Sequence, residues 1–442
     1  MTIKPLAIAA AFAAGCAGGA SPAPPPAPAP VRATKTPIAH VVFIVQENRS
    51  FNDLFMDYPG ATTAEYGYDA RGEKIRLRPA NLGDLWDVDH SANAFFSACD
   101  GRGRLPGTDC KMDGWDDERT SAGAPRHAAY SYVPRNQTRP YWAMAREYVL
   151  ADRTFASNLD ASFAAHQYTV AAYASRAVNL PSRAWGCEGG AADTLPTLTA
   201  RRGLGQRIRA CFDNPTIADE ADAAGLSWRF YAVANDGLGG IWSSFQADRK
   251  IFYGPDWTAD VINPPSRFLG DIAAGQLANI TWVTPTYQTS DHSGFWSTGG
   301  PAWVASIVDA IGTSRFWKST AIFIVWDDWG GWFDPVPPVY EDYDGLGFRV
   351  PLIIVSPYAK RGYVTHVRYE TASVLRFIED NFGLPQLAQS DARANDPAVD
   401  AFDYHGKPRA FEKIEGARPR KYWQELDRAS LRRSAIHIVG DD

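Results

Sequence analysis

The 442-residue chain has only five cysteines and eight histidines, no long basic tract and no apolar run long enough to cross a bilayer. Lys and Arg total 44 and Asp and Glu total 50, so the net charge of −6 gives no electrostatic footprint for a nucleic-acid groove. The G-x-S-x-G, H-E-x-x-H, Walker A and dinucleotide-binding patterns are also missing, which disfavours the common esterase, zinc-protease and nucleotide-binding classes. An apolar content of 45% excludes disorder throughout.

The first residues are typical of an export signal. Residues 1–16 combine one Lys, a short apolar run and small residues before Cys16. Residues 13–16 resemble a bacterial lipoprotein processing box, in which Cys16 becomes the lipidated N-terminus, and ordinary cleavage after a small residue is the alternative. Residues 17–36 are rich in Pro and Ala and predict an extended tether. We expect residues 37–442 to form a single domain in the periplasm or at a membrane.

Four cysteines remain after Cys16. An even number in an exported protein predicts disulfides, and four cysteines allow three pairings. Pairing neighbours closes the shortest loops, so we predict the bonds Cys99 to Cys110 and Cys187 to Cys211. A soft-metal site is the alternative, but no C-x-x-C is present.

Buried strands alternate with amphipathic helices along most of the chain. The helical spacing is clearest in residues 301–311 and 370–382, and residues 59–139 are predicted to form an elaborate loop region over the site. This alternation predicts an α/β fold with a mainly parallel sheet covered on both sides. The predicted strands are residues 40–46, 148–151, 227–233, 280–283, 321–326 and 351–355.

Two of these strands end in oxygen donors, the strands at residues 40–46 and 321–326. Side chains at the carboxyl ends of neighbouring parallel strands converge in one crevice. An all-oxygen set suits Mg²⁺, Ca²⁺ or Mn²⁺ better than Zn²⁺, so one such divalent ion is the predicted cofactor. The alternative is that these residues merely cap the strands. The candidate metal ligands are Glu47, Asn48, Asp327 and Asp328.

A serine follows the strand at residues 148–151. Ser162 lies at or near the start of a helical run from Ala164 onward, where backbone N–H groups attract an anion. A serine in this position is either a helix cap or a nucleophile. A nearby metal, which lowers the pKa of a hydroxyl, favours the nucleophile.

Two of the histidines stand near this chemistry. His292 lies in a Ser- and Gly-rich loop beyond the strand at residues 280–283, directly after Asp291, and His90 lies in the predicted covering region. Either imidazole could protonate a leaving oxygen. The alternative for each is a surface or capping histidine.

Several motifs together resemble the bacterial phosphoesterase family that contains non-haemolytic phospholipases C and a metal-dependent acid phosphatase. The most specific motif is Glu-Asn-Arg-Ser-Phe at residues 47–51, and the motifs follow in order over most of the chain after residue 37. The supporting stretches are residues 111–115, 162–166, 291–292, 326–334, 349–357 and 373–379.

The resemblance implies an alkaline-phosphatase-like α/β/α fold in three layers and hydrolysis of phosphoric esters outside the cytoplasm. It also implies that the four candidate ligands bind the metal and that Ser162 forms a transient phosphoserine. His90 and His292 would assist at the phosphoryl oxygens or the leaving group. We also assign Asp291 to catalysis and His166 to substrate binding.

The chain departs from the family pattern at three places. The family usually has Asp at position 52, Pro-Asn at positions 164 and 165 and His at position 335, where this chain has Asn, Ala-Ala and Pro. The first two bear on substrate preference, and the third removes one possible imidazole.

These features favour a phospholipase C-like hydrolase acting on a phosphate ester, possible substrates including phospholipids. The abundant aromatic residues are suited to an alkyl or choline-like group. The alternatives are an acid phosphatase and a catalytically silent cell-surface binding lipoprotein.

Overall fold

Eight of the strands form one central sheet. The computed structural model describes residues 34–182, 186–233 and 240–430. In chain order the strands are β1 (His40–Gln46), β2 (Tyr66–Tyr68), β3 (Lys74–Arg76), β4 (Arg78–Pro79), β5 (Ser131–Tyr132), β6 (Val149–Ala151), β7 (Thr154–Phe155), β8 (Thr194–Leu198), β9 (Leu204–Arg209), β10 (Trp228–Tyr231), β11 (Val261–Ile262), β12 (Ile280–Val283), β13 (Thr320–Trp326), β14 (Leu352–Val355), β15 (Tyr363–Thr365) and β16 (Tyr369–Glu370).

Most of the helices are short. In chain order they are α1 (Phe51–Phe55), α2 (Ala92–Cys99), α3 (Arg139–Glu147), α4 (Ser162–Tyr168), α5 (Ile217–Ala224), α6 (Arg249–Tyr253), α7 (Asp256–Ala259), α8 (Arg267–Ala273), α9 (Gly300–Gly312), α10 (Ser373–Phe382), α11 (Gln389–Arg393), α12 (Pro397–Asp400) and α13 (Arg420–Ser430). The two helices with the clearest spacing in the sequence are α9 and α10, and both are confirmed within three residues of the predicted bounds.

The strand order in the central sheet is β11-β10-β12-β1-β13-β14-β6-β15. All pairs are parallel except those of β14, which runs antiparallel to both β13 and β6. Two successive reversals leave β6 parallel to β13. The carboxyl ends of β12, β1, β13 and β6 therefore lie at the same edge, and the predicted mainly parallel α/β sheet is confirmed.

Helices cover both faces of this sheet. Phe323 and Trp326 of β13 point to opposite faces, because they are an odd number of residues apart on one strand. Phe323 contacts Phe377 of α10, with ring centroids 4.9 Å apart, and Trp326 contacts Tyr141 of α3 at 4.9 Å. The two layers of helices bury β1 and β13 almost completely, which explains why their sequences are continuously apolar rather than alternating.

The region at residues 59–139 is a packed cover rather than a bare loop. It contains short strands, α2 and the disulfide between Cys99 and Cys110. Its Trp115 contacts Trp329 and Phe348, at ring distances of 5.3 and 4.8 Å, so the cover is fastened to the segment that follows β13. The second disulfide joins Cys187 to Cys211, so both predicted pairings are confirmed.

The predicted signal at residues 1–16 lies outside the described residues, as does the predicted tether at 17–36 except for its last three residues. The single domain predicted for residues 37–442 stays a prediction. Among the described residues, no helix has the length and apolarity needed to cross a membrane.

Candidate active site

The register of β1 and β13 brings the first acidic residues together. Gln46 pairs with Trp326, so Glu47 and Asp327 leave adjacent strands side by side. The backbone N–H of Asn48 donates to Asp327 Oδ1 at 3.0 Å, which links the two strand ends. The predicted convergence of these residues is thus confirmed.

The turns after both strands depend on left-handed backbone. Asn48 has φ = 54°, and Gly330, with φ = 61°, passes directly against it. A Cβ on Gly330 would collide with the carbonyl oxygen of Asn48. Only glycine allows both the positive φ and this close approach, and the N–H of Gly330 also donates to Asp328 Oδ1 at 2.7 Å.

Ser162 is the first residue of α4, which follows β6 and β7 in the chain, and its side chain is buried among these groups. Its Oγ lies 3.3 Å from Asn48 Oδ1 and 3.5 Å from Asp328 Oδ2. Asn48 Nδ2 lies 3.2 Å from the same Oγ. A hydroxyl, an amide and a carboxylate from three distant parts of the sequence therefore share one pocket.

His166 lies one turn after Ser162 on α4 and faces the acids. Its Nε2 is 2.9 Å from Glu47 Oε1 and 3.6 Å from Asp327 Oδ2, and all three side chains are fully buried. Burial lowers the pKa of His166 to about 4, against the attraction of Asp327. Burial and then the negative charge of Asp327 raise the pKa of Glu47 well above its usual value.

The cover supplies His90. Its Nδ1 lies 2.9 Å from the carbonyl oxygen of Val88, which assigns the Nδ1 proton to that bond. Its Nε2 lies 2.7 Å from Asn48 Nδ2. His90 is thereby joined through Asn48 to the hydroxyl of Ser162.

His292 reaches the same region from the loop after β12. Its ring centroid is 5.9 Å from that of His90. Its Nδ1 lies 2.6 Å from the carbonyl oxygen of Ser293, and the hydroxyl of Ser293 donates to Asp87 of the cover. Three aromatic rings surround the imidazole, with centroids 5.6 to 6.0 Å away, from Trp242, Tyr287 and Phe295.

Asp291 has different surroundings from the other predicted catalytic residues. Tyr141 and Trp326 both donate to its Oδ2, at 2.7 and 3.0 Å, and Arg49 donates to its backbone carbonyl. Burial raises the pKa of Asp291 to about 7, although the bond from Tyr141 opposes the shift. These contacts lie beneath the loop that carries His292, and its catalytic role stays a prediction.

Residues 38–385 match the Phosphoesterase family, which is most of the chain. The chain belongs to the Phosphoesterase family. It is 24% identical over 410 residues to phospholipase C B of Mycobacterium tuberculosis, an alignment that covers 79% of this chain and 74% of that protein. It is 23% identical over 406 residues to the non-hemolytic phospholipase C of Pseudomonas aeruginosa, with 78% of this chain and 54% of that protein covered.

The family assignment identifies this phosphoesterase as a phosphoric-ester hydrolase, as the sequence motifs imply. A solved structure of a protein in the alkaline phosphatase superfamily from Vibrio parahaemolyticus also matches, with a TM-score of 0.38, 10% identity and coverage of 84% of this chain and 74% of that one. The likeness is distant.

Two contacts of this phosphoesterase escape prediction from its sequence. Asp87 accepts a hydrogen bond from Ser293, 206 residues away, and so fixes the loop that orients His292. His166 is predicted to bind substrate, yet its Nε2 lies closest to Glu47. Neither contact follows from local spacing, because each joins segments that only the tertiary fold brings together.

The buried donors fit a cation. Glu47, His166 and Asp327 each offer one ligand atom, all within 4.8 Å of one another. Within the part of the chain that the structure describes, Glu47 Oε2 and Asp327 Oδ2 have no hydrogen-bond partner. Buried carboxylate oxygens without partners are costly, and a bound cation removes that cost.

Proposed function

We propose that this phosphoesterase is an exported, phospholipase C-like hydrolase that cleaves phosphodiesters through a phosphoserine on Ser162. The observation that carries the proposal is the position of Ser162 Oγ, within 3.5 Å of both Asn48 and Asp328 in a buried pocket. A serine with a purely structural role does not require acidic side chains around its hydroxyl. A nucleophilic serine requires a proton acceptor, since its proton must leave as the new bond forms.

In the first step Ser162 Oγ forms a bond to phosphorus, and the bond from phosphorus to the leaving alcohol breaks. The hydroxyl proton passes to the carboxylate of Asp328, whose Oδ2 lies 3.5 Å from Ser162 Oγ. In the second step water attacks the phosphoserine, phosphate monoester is released, and Ser162 regains its proton. Asn48 orients the hydroxyl throughout by its contacts with Oγ.

His292 serves the leaving group. Its Nδ1 is bound to the backbone carbonyl of Ser293, which leaves Nε2 as the nitrogen that gives the departing alkoxide its proton. His90 also has Nδ1 bound to a backbone carbonyl, and its Nε2 accepts from Asn48 Nδ2, so His90 orients that amide beside the nucleophile.

A divalent metal would be held by the strand-end acids with Asn48. When bound, such an ion offsets phosphoryl charge and lowers the pKa of the serine hydroxyl.

Exposed apolar residues near the site favour a lipid ester over a small soluble one. Leu85 and Trp296 are 51% and 83% exposed. Their loops contact each other, because the N–H of Gly294 donates to the carbonyl of Asp84 at 2.9 Å. The same two loops carry Asp87 and His292, so an apolar surface at this point supports a phospholipid as the substrate.

Two disulfides and the signal-like residues 1–16 support a location in the periplasm or as a membrane-anchored lipoprotein, because disulfides persist in oxidising compartments.

The test is the turnover of p-nitrophenyl phosphorylcholine and p-nitrophenyl phosphate, each with and without chelator. We expect the diester to be preferred and Ser162→Ala to lower kcat by on the order of 10³-fold or more. The matched control is Ser306→Ala, because Ser306 is also buried but bonds only to the carbonyl of Ala302 and the N–H of Arg418. Undiminished activity of Ser162→Ala would contradict the mechanism.

Two other results would redirect the proposal. Preference for the monoester would favour the acid phosphatase. Binding of phosphate esters with no turnover of either substrate would favour the silent lipoprotein.

A further inference from the structure

The acids at the ends of β1 and β13 form a negative cluster with one imidazole in it. Glu47, Asp327 and Asp328 are fully buried, and Glu47 and Asp327 have no Lys or Arg partner among the described residues. Arg49 is the nearest cationic residue along the chain, and its guanidinium donates hydrogen bonds to Asp53 and to two backbone carbonyls. Glu47 and Asp327 therefore have no compensating Lys or Arg among the described residues.

We infer that His166 is itself a metal ligand, so that the site takes a borderline transition ion such as Zn²⁺ or Co²⁺ in preference to Mg²⁺ or Ca²⁺. This inference rests on the proposed metal-assisted function and refines it. The set Glu47, Asn48, Asp327 and Asp328 alone is all-oxygen and predicts a hard ion. One imidazole nitrogen changes that preference, because nitrogen ligands suit zinc and its neighbours.

The separations of the ligand atoms fit such an ion. Zinc binds nitrogen and oxygen at about 2.0 to 2.2 Å, which spaces neighbouring ligand atoms by about 3 to 3.5 Å. His166 Nε2 lies 2.9 Å from Glu47 Oε1 and 3.6 Å from Asp327 Oδ2. Octahedral Mg²⁺, which holds its ligands at about 2.0 to 2.1 Å, allows similar separations, so the preference between the ions rests on the imidazole nitrogen.

A simple hydrogen bond from His166 to Glu47 accounts for less. It satisfies Nε2 and one oxygen of Glu47, but Glu47 Oε2 and Asp327 Oδ2 both lack hydrogen-bond partners in the described part of the chain. The Nε2 contacts orient the ring toward the acids. A cation shared by Nε2 and both carboxylates gives these groups a common partner.

The first experiment uses the wild-type protein. Metal-free protein is prepared by chelation and loaded with Zn²⁺, and X-ray absorption at the zinc edge reports the ligand atoms. We expect the spectrum to show the multiple scattering of one imidazole ring among the ligands of the zinc ion. A shell of oxygens alone would overturn the inference, and so would a protein that binds Mg²⁺ or Ca²⁺ more tightly than Zn²⁺.

The second experiment compares His166→Gln with His366→Gln. His366 is a matched control, because it also bonds a buried carboxylate, that of Asp152 at 2.8 Å, but lies away from the strand-end acids. Metal affinities are measured by competition with a chromophoric chelator. His166→Gln should bind Zn²⁺ at least 100-fold more weakly than wild type, whereas its affinity for Mg²⁺ should change less than tenfold. His366→Gln should bind both ions as wild type does. Unchanged Zn²⁺ binding by a folded His166→Gln protein contradicts the inference.

The two proposals fail separately. Ser162→Ala keeps its Zn²⁺ affinity if His166 is a ligand, whatever its effect on turnover. Full turnover by Ser162→Ala would end the phosphoserine mechanism while leaving the metal assignment intact. An all-oxygen shell together with inactive Ser162→Ala would leave the mechanism and remove the role of His166.

Discussion

Two buried carboxylates on one short segment have opposite surroundings. Asp334 is held by Arg349 through two bonds of 2.9 and 3.0 Å and also accepts from the N–H groups of Asn52 and Val336. Asp327, seven residues earlier, accepts from the N–H of Asn48, but its Oδ2 has no hydrogen-bond partner in the described residues. Both side chains are fully buried.

The difference separates an acid whose hydrogen bonds are all satisfied from one that has an oxygen available to a ligand. A buried charge that is paired and saturated with hydrogen bonds has no capacity left for a ligand. A cluster of buried acids that repel one another costs stability, and proteins retain such clusters where a cation or a reaction requires them. Asp327 and Asp334 are therefore not distinguished by their burial. They are distinguished by whether a positive side chain and hydrogen-bond donors compensate the buried carboxylate.

The largest effect is expected at Glu47. Glu47→Gln removes a charged strand-end oxygen, so activity should fall by on the order of 10³-fold, about 4 kcal/mol of transition-state stabilisation. In chelator the same variant should unfold at an equal or higher temperature than wild type, because it relieves repulsion from Asp327. Turnover and thermal melts measure the two effects, and a lower melting temperature in chelator would show that Glu47 is a structural acid.

The reverse pattern is expected at Asp334. Asp334→Asn breaks the buried pair with Arg349 and leaves an uncompensated guanidinium, which should cost about 3 to 5 kcal/mol of unfolding free energy. Urea unfolding measures this loss. The hydrogen bonds of Asp334 go to Arg349, Asn52 and Val336 and not to the reacting groups, so the folded fraction should keep kcat within about threefold of wild type. A larger loss of kcat would contradict the assignment of Asp334 as a structural acid.

A smaller loss is expected at the turn between the two acids. Gly330→Ala adds a Cβ at φ = 61° that meets the carbonyl of Asn48. Strain and a shifted Asn48 should cost about 2 to 3 kcal/mol of stability and also lower activity. Gly406→Ala is the control, since a Cβ there meets no atom within 4 Å. Equal melts for the two variants would contradict the predicted close approach.

The smallest effect concerns a buried acid far from the site. Burial, followed by interaction with Asp391, raises the pKa of Glu379 to about 10. The native state therefore holds a proton that the unfolded chain releases above its ordinary pKa, so stability falls as the pH rises through that window. Glu379→Gln removes this titration and should gain about 1 to 2 kcal/mol relative to wild type at pH 8.

The matching comparison at pH 4 should show little difference between wild type and Glu379→Gln, because both side chains are then neutral. Urea unfolding at the two values tests the sign. An advantage that is equal at pH 4 and pH 8 would assign the effect to packing rather than to charge.

Much of the fold was accessible to sequence reasoning, because buried parallel strands are continuous apolar runs. The strand ends at Glu47 and Asp327 were accessible for the same reason, since parallel neighbours end at one edge. The antiparallel insertion of β14 was not, because its apolar run, Leu352–Val355, carries no signal of direction. Residues 59–139 were predicted to cover the site, but their short strands and packing were not accessible, because this stretch has little periodicity.

Local sequence by itself determined which residues are candidates for the chemistry: the acids and the amide that end two strands, and a serine that begins a helix. Only the tertiary structure decided which of them meet. It turned His166 toward Glu47 and left Asp291 bonded to Tyr141 and Trp326. The physical reason is that side-chain chemistry is local, whereas the balance of buried charge depends on neighbours more than a hundred residues away.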